Sequence, residues 1–158
     1  MKQHIRYTDK AVSELLDIIF NESSININKK GAVTGEIYFN VDNEYFPGYN
    51  WSDFIVVILT WWNKSINQLE LSPVGVAVNF SFMDGPFNIR GEKKENDSVT
   101  LEFIKRNASG ENISISIDMS ILELKRLIQK VSRNVLNVIN TTNSVFNDDI
   151  EELKKIVS

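Results

Sequence analysis

Four successive segments between residues 74 and 118 alternate apolar and polar side chains, and this pattern restricts the fold more than any other feature of the sequence. In the first segment, Val78 and Phe80 alternate with Asn79 and Ser81. Alternation with a period of two residues predicts a strand that buries one face. Short polar turns join the segments in series, so the sequence predicts an antiparallel meander. The residues expected to face the core are Val74, Val76, Val78, Phe80, Phe82, Phe87, Ile89, Val99, Leu101, Phe103, Ile113, Ile115 and Ile117.

Two patterns with helical spacing precede the meander. Apolar residues recur at three- and four-residue spacing in residues 8–21, and Thr8 is the predicted N-cap. Residues 54–71 are apolar on nearly all sides, so we expect this helix to lie in the centre of the core. Ser52 is its predicted N-cap, and Asp53 is expected near the positive end of the helix dipole.

Two more helices are predicted after the meander. Ser120 and Glu123 have the spacing of a capping box, and the helix they open carries one apolar stripe and ends near residues 140–143. Asn147 is expected to cap a last short helix. The dense acidic group at its start is explained by stabilisation of a helix N-terminus, which we favour over metal binding. This group consists of Asp148, Asp149, Glu151 and Glu152.

A further strand is predicted at residues 32–41, where Ile37 and Phe39 share one face and Tyr38 takes the other. The preceding loop, residues 21–31, leaves room for a short strand around residues 25–27.

After that strand, Asp42 and Asn43 mark a turn. The aromatic segment 45–50 is expected to be irregular, because it contains Pro47 and Gly48.

Together these elements predict a single α+β domain over residues 1–158. Its expected architecture is an antiparallel meander of about four to six strands with helices packed on one face. The chain has 158 residues, of which 42% are hydrophobic and 24% charged, as is usual for one globular domain.

The residue counts exclude many kinds of chemistry. The chain contains no cysteine and one histidine, His4. Disulfides, thiolate nucleophiles, cysteine zinc sites and two-histidine metal sites are therefore excluded. We expect His4 to be a surface or structural residue, and we expect no cofactor, no metal and no enzymatic activity.

Three other features have simple structural interpretations. Asp42 and Glu44 could form a catalytic carboxylate pair, but an exposed turn is favoured because nothing indicates a cleft between them. Trp61 and Trp62 are expected in the core, whereas Trp51 is expected to be partly exposed. The segment Asp84-Gly85-Pro86 is expected to be a turn.

Nucleic-acid and membrane partners are not expected. The chain carries 17 Lys and Arg against 21 Asp and Glu, a net charge of −4, and its basic pairs are isolated. The longest apolar run covers residues 54–59, far below the roughly 20 residues that span a bilayer. Without a visible secretory signal, we expect a cytoplasmic protein.

Two stretches of the central third carry a resemblance. They are Phe46-Pro47-Gly48-Tyr49-Asn50-Trp51-Ser52-Asp53-Phe54 and Phe82-Met83-Asp84-Gly85-Pro86-Phe87, on either side of the helix with Trp61-Trp62. The chain resembles a group of small bacterial proteins with these features, many of which are similar to immunity proteins of polymorphic toxin or contact-dependent growth inhibition systems. The resemblance carries no catalytic residues.

The resemblance implies a protein that neutralises a cognate toxin domain by binding it. An acidic protein suits a basic partner, since complementary charge raises the association rate. The residues expected to contribute are Asp42, Glu44, Tyr45, Tyr49, Trp51 and Asp84, with Glu92, Glu95 and Asp97 at a charged hairpin tip as a second candidate surface.

Two alternatives stay open. One is a small-ligand-binding or enzymatic domain with a pocket between sheet and helices, which would require polar groups converging on that pocket. The other is a homo-oligomeric structural protein that uses a sheet edge or an aromatic patch.

Overall fold

The computed structural model describes residues 3–6, 15–142 and 147–158 of the chain. In these ranges the strands are β1 (Gln3–Arg6), β2 (Leu16–Phe20), β3 (Asn26–Ile27), β4 (Val33–Val41), β5 (Glu44–Phe46), β6 (Ser52–Asp53), β7 (Ala77–Ser81), β8 (Phe87–Lys94), β9 (Ser98–Asn107) and β10 (Gly110–Ser120). The helices are α1 (Ile55–Leu71), α2 (Ile121–Thr142) and α3 (Asp148–Val157), and Glu22–Ser24 forms a 3₁₀ turn.

The predicted meander forms the first sheet. Its strand order is β1-β10-β9-β8-β7, and the four strands β7 to β10 are antiparallel neighbours in chain order. Val99, Leu101 and Phe103 are buried, as their parity predicts. The fifth strand, β1, pairs with β10 in parallel and was not expected from the sequence.

Two of the expected inward positions of the meander are wrong. Val74 is 57% exposed, because residues 73–76 form a turn in which Gly75 has a φ of 96° and β7 begins only at Ala77. Ile113 is only partly buried, because the register of β10 against β9 shifts between Ile113 and Ile115. Such a bulge moves the preceding residues to the opposite face of the strand.

The second sheet is built around β4. Its antiparallel partners are β2, β3, β5 and β6, so that β4 is the centre of the sheet. This confirms the strand predicted at residues 32–41 and the short strand near residue 26. It also shows that segment 45–50 is less irregular than expected, because β5 includes Tyr45 and Phe46.

The prediction of a helix at residues 8–21 is wrong for residues 16–20. Residues 16–20 form β2, in which Leu16 and Ile18 are buried and Asp17 is exposed. Pairing with the apolar face of β4 overrides the local helical spacing. Residues 8–14 lie outside the described residues.

The central helix is confirmed, but its predicted cap is wrong. Ser52 lies in β6, and Phe54 occupies the N-cap of α1 without a side-chain cap. Trp62 is fully buried, as expected, whereas Trp61 is 36% exposed and the core expectation for it is wrong.

Both C-terminal helices begin where the sequence places them. The Ser120 Oγ accepts a hydrogen bond from the Glu123 N–H at 3.3 Å. The Asn147 Oδ1 accepts from the N–H groups of Asp149 and Ile150 at 2.8 and 3.2 Å. These contacts satisfy amides that a helix N-terminus leaves unpaired.

The core is one cluster of buried apolar side chains from both sheets and the three helices. Helix α1 packs against β7, β4, α2 and α3, which confirms its expected central position, and α2 packs against β2 and β10. The arrangement is the α+β class that the sequence predicts. No helix in the described ranges has both the length and the apolar character needed to cross a bilayer.

Candidate protein-binding surface

Three tyrosines form a cluster on the outer face of the second sheet, which we call the tyrosine surface. The ring of Tyr38 lies 5.7 Å from that of Tyr45 and 5.6 Å from that of Tyr49, and the Tyr45 and Tyr49 rings lie 5.3 Å apart. Tyr38 is 5% exposed, whereas Tyr45 is 43% and Tyr49 is 67% exposed. Tyr38 therefore forms the floor of the cluster, and the other two rings face solvent.

The β4–β5 hairpin fixes the position of Tyr45. Its turn residues Asp42 and Asn43 have φ values of 50° and 71°, the left-handed backbone that two-residue hairpin turns use. In β5, Tyr45 pairs with Asn40 and Phe46 with Phe39. Because neighbouring residues in a strand face opposite sides, Phe46 enters the core while Tyr45 faces outward.

The turn after β5 places Tyr49 against the other two rings. A cis Phe46–Pro47 bond follows the strand, and the Trp51 N–H donates to the Gly48 carbonyl at 3.2 Å. The Trp51 carbonyl then accepts from the Ile37 N–H at 2.8 Å, which ties the end of the turn to β4. The aromatic segment is therefore anchored at both ends.

Two carboxylates share the outer face of the second sheet with the tyrosine surface. Glu36 lies on this face of β4 with Tyr38. Asp17, which pairs with Asn40, lies on the same face. Asp42 lies in the hairpin turn, and Glu44 pairs with Val41 and so faces the side opposite to Tyr45. Residues 31–63 contain no Lys or Arg. Burial raises the pKa of Tyr38, and the neighbouring Tyr49, Tyr45 and Glu36 raise it further.

A second group centres on the buried carboxylate of Asp53, which is 1% exposed. Its Oδ1 accepts from the N–H groups of Phe54 and Met83 at 2.7 and 3.3 Å. Its Oδ2 accepts from the Trp51 Nε1–H at 3.1 Å and from the Asp84 N–H at 3.3 Å. Four donors thus converge on one carboxylate.

Trp51 and Asp84 both contribute to the structure around Asp53. The Trp51 ring is partly buried, 5.2 Å from the ring of Phe87, and a Cβ on Gly85 would lie 2.9 Å from its Cη2 atom. Asp84 uses its backbone to bind Asp53, while its side chain is exposed. Trp51 therefore acts chiefly as a packing residue.

The hairpin tip lies far from both groups. Phe87 and Lys94 are the first and last residues of β8, so they lie roughly 23 Å apart. At the tip, Glu92 forms an ion pair with Lys94 at 2.8 Å. The carbonyls of Glu95 and Asp97 accept from Ser98 and Ile121, respectively. The predicted residues therefore separate into the tyrosine surface, the Trp51–Asp84 pair and the tip.

Three residues of these two groups were not predicted as site residues from the sequence: Tyr38 and Glu36 at the tyrosine surface, and Asp53 in the second group. Tyr38 did carry a signal, because it is an aromatic residue at an outward position of a predicted strand. Asp53 carried none for this role, since two of its four donors, the N–H groups of Met83 and Asp84, come from a turn about 30 residues away in the chain.

The structure has a cleft between sheet and helix, as the small-ligand alternative requires. It measures about 260 Å³, lies between β2 and α2, and is lined in part by Asp17, Glu22, Lys130 and Asn134. A second cleft, of about 370 Å³, lies beside the Asp84–Pro86 turn, at the outer end of β7 and β8. Its polar side chains bond one another, with Asn88 donating to Asn79 at 2.8 Å and Ser81 to Asn88 at 3.2 Å. Among the described residues no three His, Cys, Asp or Glu side chains lie in a metal-binding arrangement.

The edge of the first sheet at β7 is covered. The Ser65 Oγ donates to the Asn79 carbonyl at 2.7 Å, and the Trp62 Nε1–H donates to the Ser81 carbonyl at 2.8 Å. Helix α1 thus binds carbonyls that an exposed edge strand would offer to another chain. This geometry does not favour an oligomer formed through β7.

No protein-family model, curated protein or solved structure matches this chain. The functional interpretation therefore depends on the chemistry of the tyrosine surface.

Proposed function

We propose that the protein is a non-enzymatic immunity protein that binds and neutralises a basic bacterial toxin domain through the tyrosine surface. The observation that carries the proposal is a pair of exposed tyrosine rings held by an anchored hairpin and turn, with Glu36 on the same face of the sheet. Tyr49 is 67% exposed and contacts both Tyr38 and Tyr45. Tyrosine is enriched in the energetically dominant positions of protein interfaces.

The charge of the surface supports a basic partner. Glu36 and Asp17 share the outer face of the second sheet with the rings, and residues 31–63 contain no Lys or Arg. Complementary charge would accelerate association and disfavour acidic partners. A toxin domain that binds nucleic acid would present the required positive surface.

The anchoring of the surface supports binding rather than catalysis. The hairpin and the following turn hold the rings through backbone hydrogen bonds to β4. Such a surface loses little conformational entropy when a partner binds.

Co-expression tests the proposal. If a gene for a large secreted protein with a variable C-terminal domain lies directly upstream, that C-terminal domain is the partner to test. We expect the wild-type protein to restore growth of cells that express that domain and to elute with it as a 1:1 complex. Loss of protection by Tyr45→Ala/Tyr49→Ala, but not by Glu95→Gln/Asp97→Asn at the tip, would support the tyrosine surface. Absence of both protection and a complex would overturn the proposal.

A further inference from the structure

The solvent-facing rings of the tyrosine surface offer a recognition chemistry more specific than general charge attraction. Tyr38 meets Tyr45 at an interplanar angle of 79° and Tyr49 at 68°, so the rings pack edge to face. Both contacts of Tyr49 are made within the cluster, and two-thirds of its surface stays exposed. The face of an aromatic ring carries negative electrostatic potential and attracts cations.

We propose that Tyr45 and Tyr49 bind a lysine or arginine side chain of the partner by cation–π contact, with Glu36 as the nearby carboxylate. This inference rests on the proposed function and specifies the chemistry of the partner. Arginine is the better fit, because its planar guanidinium can stack on a ring and also hydrogen-bond a carboxylate.

The packing of the rings excludes a small enclosed cation. The three centroids lie 5.3 to 5.7 Å apart, so the rings contact one another and leave no cage between them. The available ring surface is open and lies on the outside of a sheet. An open surface suits a side chain delivered by a macromolecule that also contacts the carboxylates on the same face.

A carboxylate on the same face strengthens this attraction. Glu36 shares the outer face of β4 with Tyr38, and its charge contributes to the raised pKa of Tyr38. A cation over the rings would interact with the quadrupole and with this charge together. The contribution of charge should weaken with added salt, whereas that of the ring should persist.

A peptide titration tests the chemistry independently of the toxin domain. The probes are hexa-arginine and hexa-citrulline peptides, which differ in charge but are nearly equal in shape. We expect hexa-arginine to shift the ring proton resonances of Tyr45 and Tyr49, and hexa-citrulline to leave them unchanged. Equal shifts with both peptides, or no shift with hexa-arginine, would overturn the inference.

Matched variants separate ring chemistry from charge and from the hydroxyl groups. Tyr45→Phe/Tyr49→Phe keeps the rings and should bind hexa-arginine within about twofold of wild type. Tyr45→Leu/Tyr49→Leu keeps apolar bulk and should weaken binding about fivefold. Thermal unfolding of each variant checks that it folds. Leucine variants that fold and bind like wild type would contradict the cation–π contact.

The two proposals fail in different ways. If the toxin domain binds through this surface but the phenylalanine variants lose binding, the cation–π inference is wrong and the proposed function stands. If hexa-arginine behaves as expected but no toxin domain is bound, the proposed function is wrong and the recognition chemistry stands.

Discussion

The backbone N–H of Asp84 donates to the side-chain Oδ2 of Asp53 at 3.3 Å, and this bond joins two segments that lie 31 residues apart in the chain. The same oxygen accepts from the Trp51 indole at 3.1 Å. The stretch from Phe46 to Phe54 and the stretch from Phe82 to Phe87 therefore meet at one carboxylate. Folding explains Trp51, Asp53 and the Met83–Asp84 backbone in these motifs, whereas Tyr49 of the first stretch belongs to the tyrosine surface.

Replacing Asp53 with asparagine should destabilise the fold. The amide nitrogen would face at least one pair of N–H donors, either Trp51 and Asp84 or Phe54 and Met83. We expect Asp53→Asn to lower the free energy of unfolding by about 1–3 kcal/mol in urea denaturation. Asp84→Asn, which keeps the backbone donor, is the control and should change stability by less than about 0.5 kcal/mol. Equal effects of the two substitutions would contradict this role.

The stability of the protein should depend on pH through Asp53. Burial raises the pKa of this carboxyl, and its effect exceeds the opposing effect of the hydrogen bonds from Trp51, Phe54 and Asp84. The folded state then binds the proton more tightly than the unfolded state, whose Asp pKa is about 3.9. This contribution to stability is present at low pH and is lost as the pH rises through the raised value.

Urea unfolding of the wild type and of Asp53→Asn between about pH 4 and pH 7 measures this dependence. Since the variant lacks the titrating group, the difference in unfolding free energy between the two proteins should shrink as the pH rises. A difference that grows with pH would show that the folded state lowers the pKa of Asp53.

Alanine substitutions at three glycines distinguish the free-energy cost of a left-handed backbone conformation from the cost of steric crowding. Gly48 has an ordinary φ and open space, Gly75 has a φ of 96° and open space, and Gly85 has a φ of 73° with Trp51 and Phe87 close by. We expect alanine to be neutral or slightly stabilising at Gly48, to cost about 1 kcal/mol at Gly75 and about 2–4 kcal/mol at Gly85. Chemical denaturation of the three variants checks this order, and a Gly85 variant as stable as the Gly48 variant would be inconsistent with it.

A buried polar pair links α1 to α2. The Asn63 side chain donates to the Leu59 carbonyl at 2.8 Å and to the Ser132 Oγ at 3.0 Å, and Ser132 donates to the Ile128 carbonyl at 2.7 Å. A double-mutant cycle with Asn63→Ala and Ser132→Ala should give a coupling energy of about 1 kcal/mol.

The control cycle combines Asn63→Ala with Ser98→Ala instead of Ser132→Ala. The Ser98 hydroxyl donates to the local Glu95 carbonyl. The two control substitutions should be additive within about 0.5 kcal/mol. No coupling between Asn63 and Ser132 would mean that the helices are held by apolar packing alone.

The sequence predicted the elements that are defined by a local pattern of apolar residues or by a capping residue. The four strands of the meander, the apolar helix α1 and the caps at Ser120 and Asn147 all lie where local pattern places them. In each case a single segment contains the information, since alternation or capping depends on residues a few positions apart.

The errors arise in segments whose structure depends on contacts with residues that are distant in the chain. Residues 16–20 become a strand because β4 supplies the pairing partner, and Ile113 leaves the core because of a register shift against β9. Part of the candidate site was also predicted, namely the two exposed tyrosines Tyr45 and Tyr49. The floor residue Tyr38 and the carboxylate of Asp53 required knowledge of the tertiary contacts.

The most direct test of the account is the dissociation constant of the complex with the toxin domain, measured by titration calorimetry for three proteins. Relative to wild type, Tyr45→Ala/Tyr49→Ala should weaken binding at least about 30-fold, as expected when central aromatic residues of an interface are removed. Glu95→Gln/Asp97→Asn at the distant hairpin tip should stay within about twofold. Unchanged affinity of a folded tyrosine variant, or a large loss for the tip variant, would contradict the assignment of the tyrosine surface as the binding site.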